Sequence, residues 1–202
     1  MNTISKTFQV FDPNPSLRFA LELLLQSGIS GFALIGKLAM WVYLDDESQH
    51  EYTKDVDFAI KTGEISKLEQ EISRRNLHCQ NLQIGGIGIR ETGLSIDFID
   101  RRLHGVAPLF ADAIESAVMR VTVDEQSIPV VSLEHLVAMK IVSGEPKDDH
   151  DLRKLIALQA LNYPLARKIV DTYLGPIVAE RLDVFAREAN ILPRRGPYNY
   201  GE

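Results

Sequence analysis

The chain has 202 residues, 45% of them apolar and 25% charged, the balance of an ordinary globular protein. Lysine and arginine number 22 against 28 aspartates and glutamates, so the net charge is −6, which argues against sequence-independent coating of nucleic acid through a basic surface. The single cysteine, Cys79, excludes an intrachain disulfide and fits a reducing compartment. The first residues lack the basic-then-apolar pattern of an export signal, and apolar runs break well before the ~20 residues of a membrane span. A soluble cytoplasmic protein with no membrane partner is the expectation.

In chain order, residues 6–10 predict a short strand, and Asp12-Pro13-Asn14-Pro15 a turn in which Asn14 caps the next helix. Leu17, Ala20, Leu21, Leu24 and Leu25 recur at helical spacing, and Gly28 suits the C-terminal stop. Residues 32–35 predict a buried strand ending at Gly36, residues 37–43 a helix, and residues 45–54 a polar loop. Residues 55–60 alternate polar and apolar, as a strand does. Ile65, Leu68, Ile72 and Leu77 mark an amphipathic helix. A meander follows over 79–84, 88–90 and 94–99, with Glu91-Thr92-Gly93 as the turn of its last hairpin.

A helix over 108–117 comes next, then a second hairpin that pairs 119–123 with 128–131 around Asp124-Glu125-Gln126. From Ser132 onward the pattern is helical. Ser132 caps a helix through Ile141, Asp148 or Asp149 opens one through Gln159, Pro164 one through Tyr173, and Pro176 one through Asn190. The predicted class is α+β: a mixed α/β core over 1–131, a helical part over 132–192 packed on it, and a tail over 193–202.

The chemistry concentrates in Leu34-Ile35-Gly36-Lys37 and Thr53-Lys54-Asp55-Val56-Asp57-Phe58. Residues two apart on a strand share a face, so Asp55 and Asp57 point the same way, roughly 7 Å apart. Val56, Phe58 and Ile60 turn to the core. Side-by-side carboxylates repel unless a cation joins them, and a hard divalent cation with substrate phosphates suits such a pair. In Leu94-Ser95-Ile96-Asp97-Phe98-Ile99-Asp100 the same parity puts Asp97 and Ser95 opposite the apolar face. Asp97 joins the other two if its strand lies beside theirs. Asp100 has the opposite parity and reads as a turn residue at the strand end. Three carboxylates on one face can hold two metals about 4 Å apart for in-line phosphoryl displacement. Gly36 opens a helix, and a helix N-terminus with free N–H groups binds phosphate.

Taken in order, Gly36, a helix, a polar loop, Asp55-x-Asp57 and a distal Asp97 resemble the polymerase-β-type nucleotidyltransferase superfamily. The downstream segments Ser132-Leu133-Glu134-His135-Leu136, with Lys140, and Lys147-Asp148-Asp149-His150-Asp151-Leu152 resemble its abortive-infection (AbiEii-like) branch. The resemblance covers roughly residues 32–158. It implies a nucleotidyltransferase-type mixed β-sheet and transfer of a nucleotidyl group from a nucleoside triphosphate with two Mg²⁺ ions. It further implies that Asp55 and Asp57 bind both metals, and that Asp97 binds the catalytic metal and helps activate the attacking hydroxyl. Gly36, Lys37 and Lys140 are the implied nucleotide contacts. In this branch acceptors include RNA ends, and members are toxins paired with an antitoxin protein.

Lys37 departs from the family pattern, which has glycine or serine there. A lysine either adds charge to the phosphates or fills the pocket. A catalytically weakened protein that binds a nucleotide or a protein partner is therefore one alternative. Transfer to a small molecule, as in antibiotic-modifying nucleotidyltransferases, is another.

Other signals read as structural. Gly85-Gly86-Ile87-Gly88 precedes no helix and predicts a bent hairpin. His78 and Cys79 face opposite sides of a strand, and His104, His135 and His150 lack metal-ligand spacing. Trp41 falls in the core. Asp148 and Asp151, three apart, suit the first turn of a helix. Arg74-Arg75, Arg101-Arg102 and Arg194-Arg195 read as solvated surface.

Overall fold

The structure is a computed structural model that describes residues 5–7, 15–51, 53, 55–91, 93–103, 105–123 and 125–193. The expected Asn14 cap, turn residues Thr92 and Asp124, His104, Arg194-Arg195 and most of the tail lie outside these. The chain divides into two compact units, Met1–Ser132 and Leu133–Glu202. No described helix is long and apolar enough to cross a membrane.

The first unit runs β1 (Ser5–Thr7), α1 (Pro15–Gln26), β2 (Phe32–Ile35), α2 (Gly36–Tyr43), β3 (Val56–Ile60), α3 (Ile65–Arg74), β4 (Cys79–Asn81), β5 (Gly86–Glu91), β6 (Leu94–Ile99), α4 (Ala107–Glu115), β7 (Met119–Val123) and β8 (Gln126–Val130). Its eight-stranded sheet has the order β1-β7-β8-β2-β3-β6-β5-β4. The neighbours β1/β7, β2/β8 and β3/β6 are parallel, and the other pairs antiparallel.

Core packing fixes the register that matters for the site. Val56 lies beside Ile96 and Phe58 beside Phe98, with the two phenyl rings 6.2 Å apart. All four side chains are fully buried. A slip of one residue would turn these apolar groups to the opposite face, so burial pins β3 against β6.

Element ends differ from the sequence reading where local chain closure decides. The strand predicted from residue 55 begins at Val56. The helix predicted through Leu77 ends at Arg74, where Asn76 turns left-handed (φ 54°) and the Leu77 N–H closes back on the Ile72 carbonyl. Leu77 is thus a helix-closing residue. The strand predicted over 79–84 stops at Asn81, because Leu82 to Gly85 form the turn into β5, with the Gly85 N–H on the Leu82 carbonyl.

Arg75, held by Glu71, ties α1 to α3. Glu71 is buried and accepts hydrogen bonds from Arg74 (2.7 and 2.6 Å) and Arg75 (2.7 Å), while Arg75 also reaches Glu22 at 2.8 Å. The hydrogen bonds from Arg74, then those from Arg75, hold the Glu71 carboxyl at about 2, against an ordinary value of 4.5. A carboxyl lowered by folding stabilises above its unfolded pKa and loses that contribution as pH falls through the folded one. Glu71→Gln is therefore expected to unfold at lower urea concentration than the parent at pH 6. The gap should close between pH 4.5 and about 2, and a gap independent of pH would refute the assignment.

The second unit contains α5 (Leu133–Ser143), α6 (Pro146–Ile156), α7 (Tyr163–Leu174) and α8 (Pro176–Glu188). Helix α6 starts at Pro146 rather than Asp148 and ends before the expected Gln159, since proline's fixed φ suits the first turn. Asn162 caps α7 by accepting from the Leu165 N–H. Helices α7 and α8 are joined by Gly175 (φ 87°) and clamped by Asp183, which accepts from the Tyr163 hydroxyl at 2.5 Å and Arg167 Nε at 2.9 Å.

Candidate active site

The site forms on the face of β3 and β6 opposite the Phe58–Phe98 layer. Their parallel register sets Asp57 beside Asp97. Neighbouring strands lie ≈ 4.8 Å apart, so two like charges share one patch of sheet. Both side chains are only partly exposed, at the boundary between core and solvent.

Each aspartate is seated against a glycine. On the β2 side, Ile35 pairs with Asp57, and the chain then turns into α2 at Gly36. Gly36 has φ +70°, and a Cβ built there would lie 2.1 Å from Asp57 Oδ2. Only glycine allows this turn and this approach. The start of α2 thus sits directly against the Asp57 carboxylate. On the β5 side, Gly88 pairs with Asp97, and a Cβ there would lie 2.9 Å from Asp97 Oδ1.

Asp55 stands just before β3 and is exposed. Its Oδ1 accepts from Ser95 Oγ at 2.5 Å, while the Ser95 N–H donates to Ser16 Oγ at 3.0 Å. Arg90 completes the face: it donates from Nη2 to Asp97 Oδ1 at 2.7 Å and from Nη1 to the Ile89 and Ile96 carbonyls at 3.0 and 2.9 Å. Lys37, the second residue of α2, donates from Nζ to Glu51 Oε2 at 2.9 Å.

The strand face therefore carries Asp55, Asp57 and Asp97 in the expected parity, but not as a ready-made cage. Among the described residues no three His, Cys, Asp or Glu side chains group as a cation site. Asp57 and Asp97 adjoin, whereas Asp55 is tied to Ser95. For a divalent cation the donor set still fits: two adjoining carboxylates, seated where no Cβ intrudes, with further oxygens to come from phosphates and water.

Lys140 belongs to the other unit. Its ammonium donates to Asp148 Oδ1 at 2.5 Å and Asp151 Oδ2 at 2.9 Å, and Ser143 Oγ also donates to Asp148. Burial pulls the Lys140 ammonium down, and the two aspartate hydrogen bonds outweigh it, so its pKa lies above the ordinary 10.5. A phosphate contact at Lys140 has to compete with both carboxylates. Asp148 and Asp151 lie in the first two turns of α6 and are also buried partners of this lysine.

Asp100, at the end of β6, is buried and accepts from the Arg102 N–H at 3.2 Å, as a strand-end turn residue does. Trp41 is buried in α2 with its ring stacked 5.1 Å from that of His50. Arg74 and Arg75 serve Glu71, Arg102 serves Asp100, and Arg101 covers the Phe110 ring, so these pairs are structural.

Gly88 and Arg90 escaped the sequence reading. The glycine run does form the bent hairpin, with Gly85 and Gly86 at positive φ. Gly88 and Arg90 share the strand parity that faces Asp97, but only the β5–β6 register reveals the contact.

No protein-family model and no curated protein matches this chain. Among solved structures, an antigenic nucleotidyltransferase-like protein from Paracoccidioides brasiliensis is 19% identical, with a TM-score of 0.52 over 87% of this chain and 90% of that one. The antibiotic-resistance factor ANT(2'')-Ia is 13% identical over 88% of this chain and 92% of that one, with a TM-score of 0.47. The mixed sheet with flanking helices is a fold of the nucleotidyltransferase type.

Proposed function

We propose that this protein transfers a nucleotidyl group from a Mg²⁺-bound nucleoside triphosphate to a hydroxyl acceptor. The observation that carries this reading is the in-register Asp57–Asp97 pair, with the glycine-opened start of α2 against Asp57. The N-terminal turn of α2, with its positive dipole end, orients the phosphates. Asp57 and Asp97, with Asp55 beside them, hold the cations; these, when bound, neutralise the triphosphate oxygens. The acceptor oxygen bonds to the α-phosphorus as the α–β phosphoanhydride bond breaks. Pyrophosphate leaves, and Asp97 takes the hydroxyl proton. Positioning and electrostatics supply most of the rate.

The acceptor we favour is an RNA end, with an antitoxin protein as partner. Both rest on the sequence resemblance of the helix with Lys140 and the segment Lys147 to Leu152 to the AbiEii-like branch. The test is incubation with each α-labelled triphosphate, Mg²⁺ and total RNA, with small aminoglycosides and the protein itself scored as further acceptors. Label on RNA is expected. Label only on an aminoglycoside would replace the acceptor, and no label on anything would overturn the reading.

A second reading, nucleotide binding without turnover, is favoured by Lys37 at the start of α2. Its partner Glu51 offsets its charge, so we expect Lys37→Ser to change Mg²⁺-triphosphate affinity less than about tenfold by calorimetry. Tight Mg²⁺-triphosphate binding by the parent, with no label passed to any acceptor, would favour the second reading.

A further inference from the structure

We propose that Arg90 is a positioning residue for Asp97, and a fixed counter-charge that restrains how tightly the carboxylate face takes up cations. This rests on the functional reading above but is tested partly without it.

Arg90 does not reach Asp97 as a loose surface side chain. Its Nη1 is anchored on two main-chain carbonyls, of Ile89 in its own strand and Ile96 in the next, while Nη2 meets Asp97 Oδ1 at 2.7 Å. The anchoring carbonyls hold the guanidinium in place whether or not a cation is bound. It approaches from β5, and the sheet order β3-β6-β5 puts that on the side of Asp97 away from Asp57. Gly88 lies under the same oxygen, and its missing Cβ is what lets Oδ1 settle there. Arg90 and Gly88 together therefore fix Asp97 by its β5 edge.

Two consequences follow. The planar fork orients Asp97 in a way that an ammonium cannot reproduce. A permanent positive charge next to a carboxylate that faces a second carboxylate offsets their repulsion, and it opposes a further cation.

The experiment measures Mn²⁺ binding to the whole protein by electron paramagnetic resonance, alongside turnover at saturating metal. Arg90→Met is expected to bind Mn²⁺ roughly tenfold tighter, because a nearby positive charge is gone. The same variant should lose about tenfold or more in kcat, because Asp97 is no longer held. Arg90→Lys keeps the charge without the fork, so Mn²⁺ affinity should stay near the parent's while kcat falls. Weaker Mn²⁺ binding together with lower kcat in Arg90→Met would make Arg90 merely structural and overturn the proposal.

A metal-free arm separates this failure from failure of the functional reading. In chelator, Arg90→Met should melt about 2–4 °C lower, the shift expected for loss of a partly exposed ion pair. Adding Asp97→Asn should restore most of that loss. If the parent binds no Mn²⁺ yet this coupling is present, the metal reading and the restraint on cation uptake fail, and the positioning of Asp97 by Arg90 stands. If the two substitutions act independently, the Arg90 assignment fails.

Discussion

Asp57→Asn is expected to lower nucleotide transfer on the order of 10³-fold or more, while the metal-free protein keeps its melting temperature within about 3 °C. The two effects separate because Asp57 sits on a charged face. It lies beside Asp97 in register and against the start of α2, so its charge meets repulsion from one side and a favourable helix dipole from the other. Asparagine has nearly the same shape, which leaves folding little changed. It lacks the charge that a divalent cation requires.

Asp100→Asn should behave in the opposite way. Asp100 is buried, and its Oδ1 accepts the Arg102 N–H, with Arg102 Nε 3.6 Å from Oδ2. Changing it disturbs a buried charge-assisted contact and should cost about 1–3 kcal/mol of stability with little loss of transfer rate per folded molecule. Melting curves and single-turnover assays on both variants decide the matter. An unfolded Asp57→Asn protein, or equal activity loss in the two, would remove Asp57 from the active site.

Gly36→Ala should lower transfer less than Asp57→Asn does, by about 10²-fold, and exceed it in instability. The left-handed turn at Gly36 strains any residue with a Cβ, by about 1–3 kcal/mol. That Cβ would also fall 2.1 Å from Asp57 Oδ2, so the carboxylate must move. A displacement of about 1 Å in a positioned group costs about 10²-fold in rate. Gly28→Ala provides the control. Gly28 has φ +64° but no neighbour within 4 Å of a built Cβ, so it should show the strain penalty with activity intact. If Gly36→Ala loses stability only to the extent Gly28→Ala does and retains full transfer, the contact between Gly36 and Asp57 has no functional weight.

Local pattern in the sequence determined a good deal of this protein. Strand parity put Val56, Phe58, Ile96 and Phe98 on one face and Asp57 and Asp97 on the other, because side chains alternate whatever the partner strand is. The strand–Gly36–helix junction was legible for a similar reason, since a glycine between an apolar strand and an apolar helix marks a turn that only it makes well. Tertiary structure alone decided what those residues meet. Parallel pairing of β3 with β6 joins segments forty residues apart, and burial of the Phe58–Phe98 layer sets its register. The same pairing gave Asp55 to Ser95, and that of β5 with β6 brought Arg90 and Gly88 to Asp97. Lys140 shows the limit from the other direction. Its position in a helix was readable, yet its burial between Asp148 and Asp151 depends on the angle at which α6 returns past α5, and side-chain packing across the turn sets that angle.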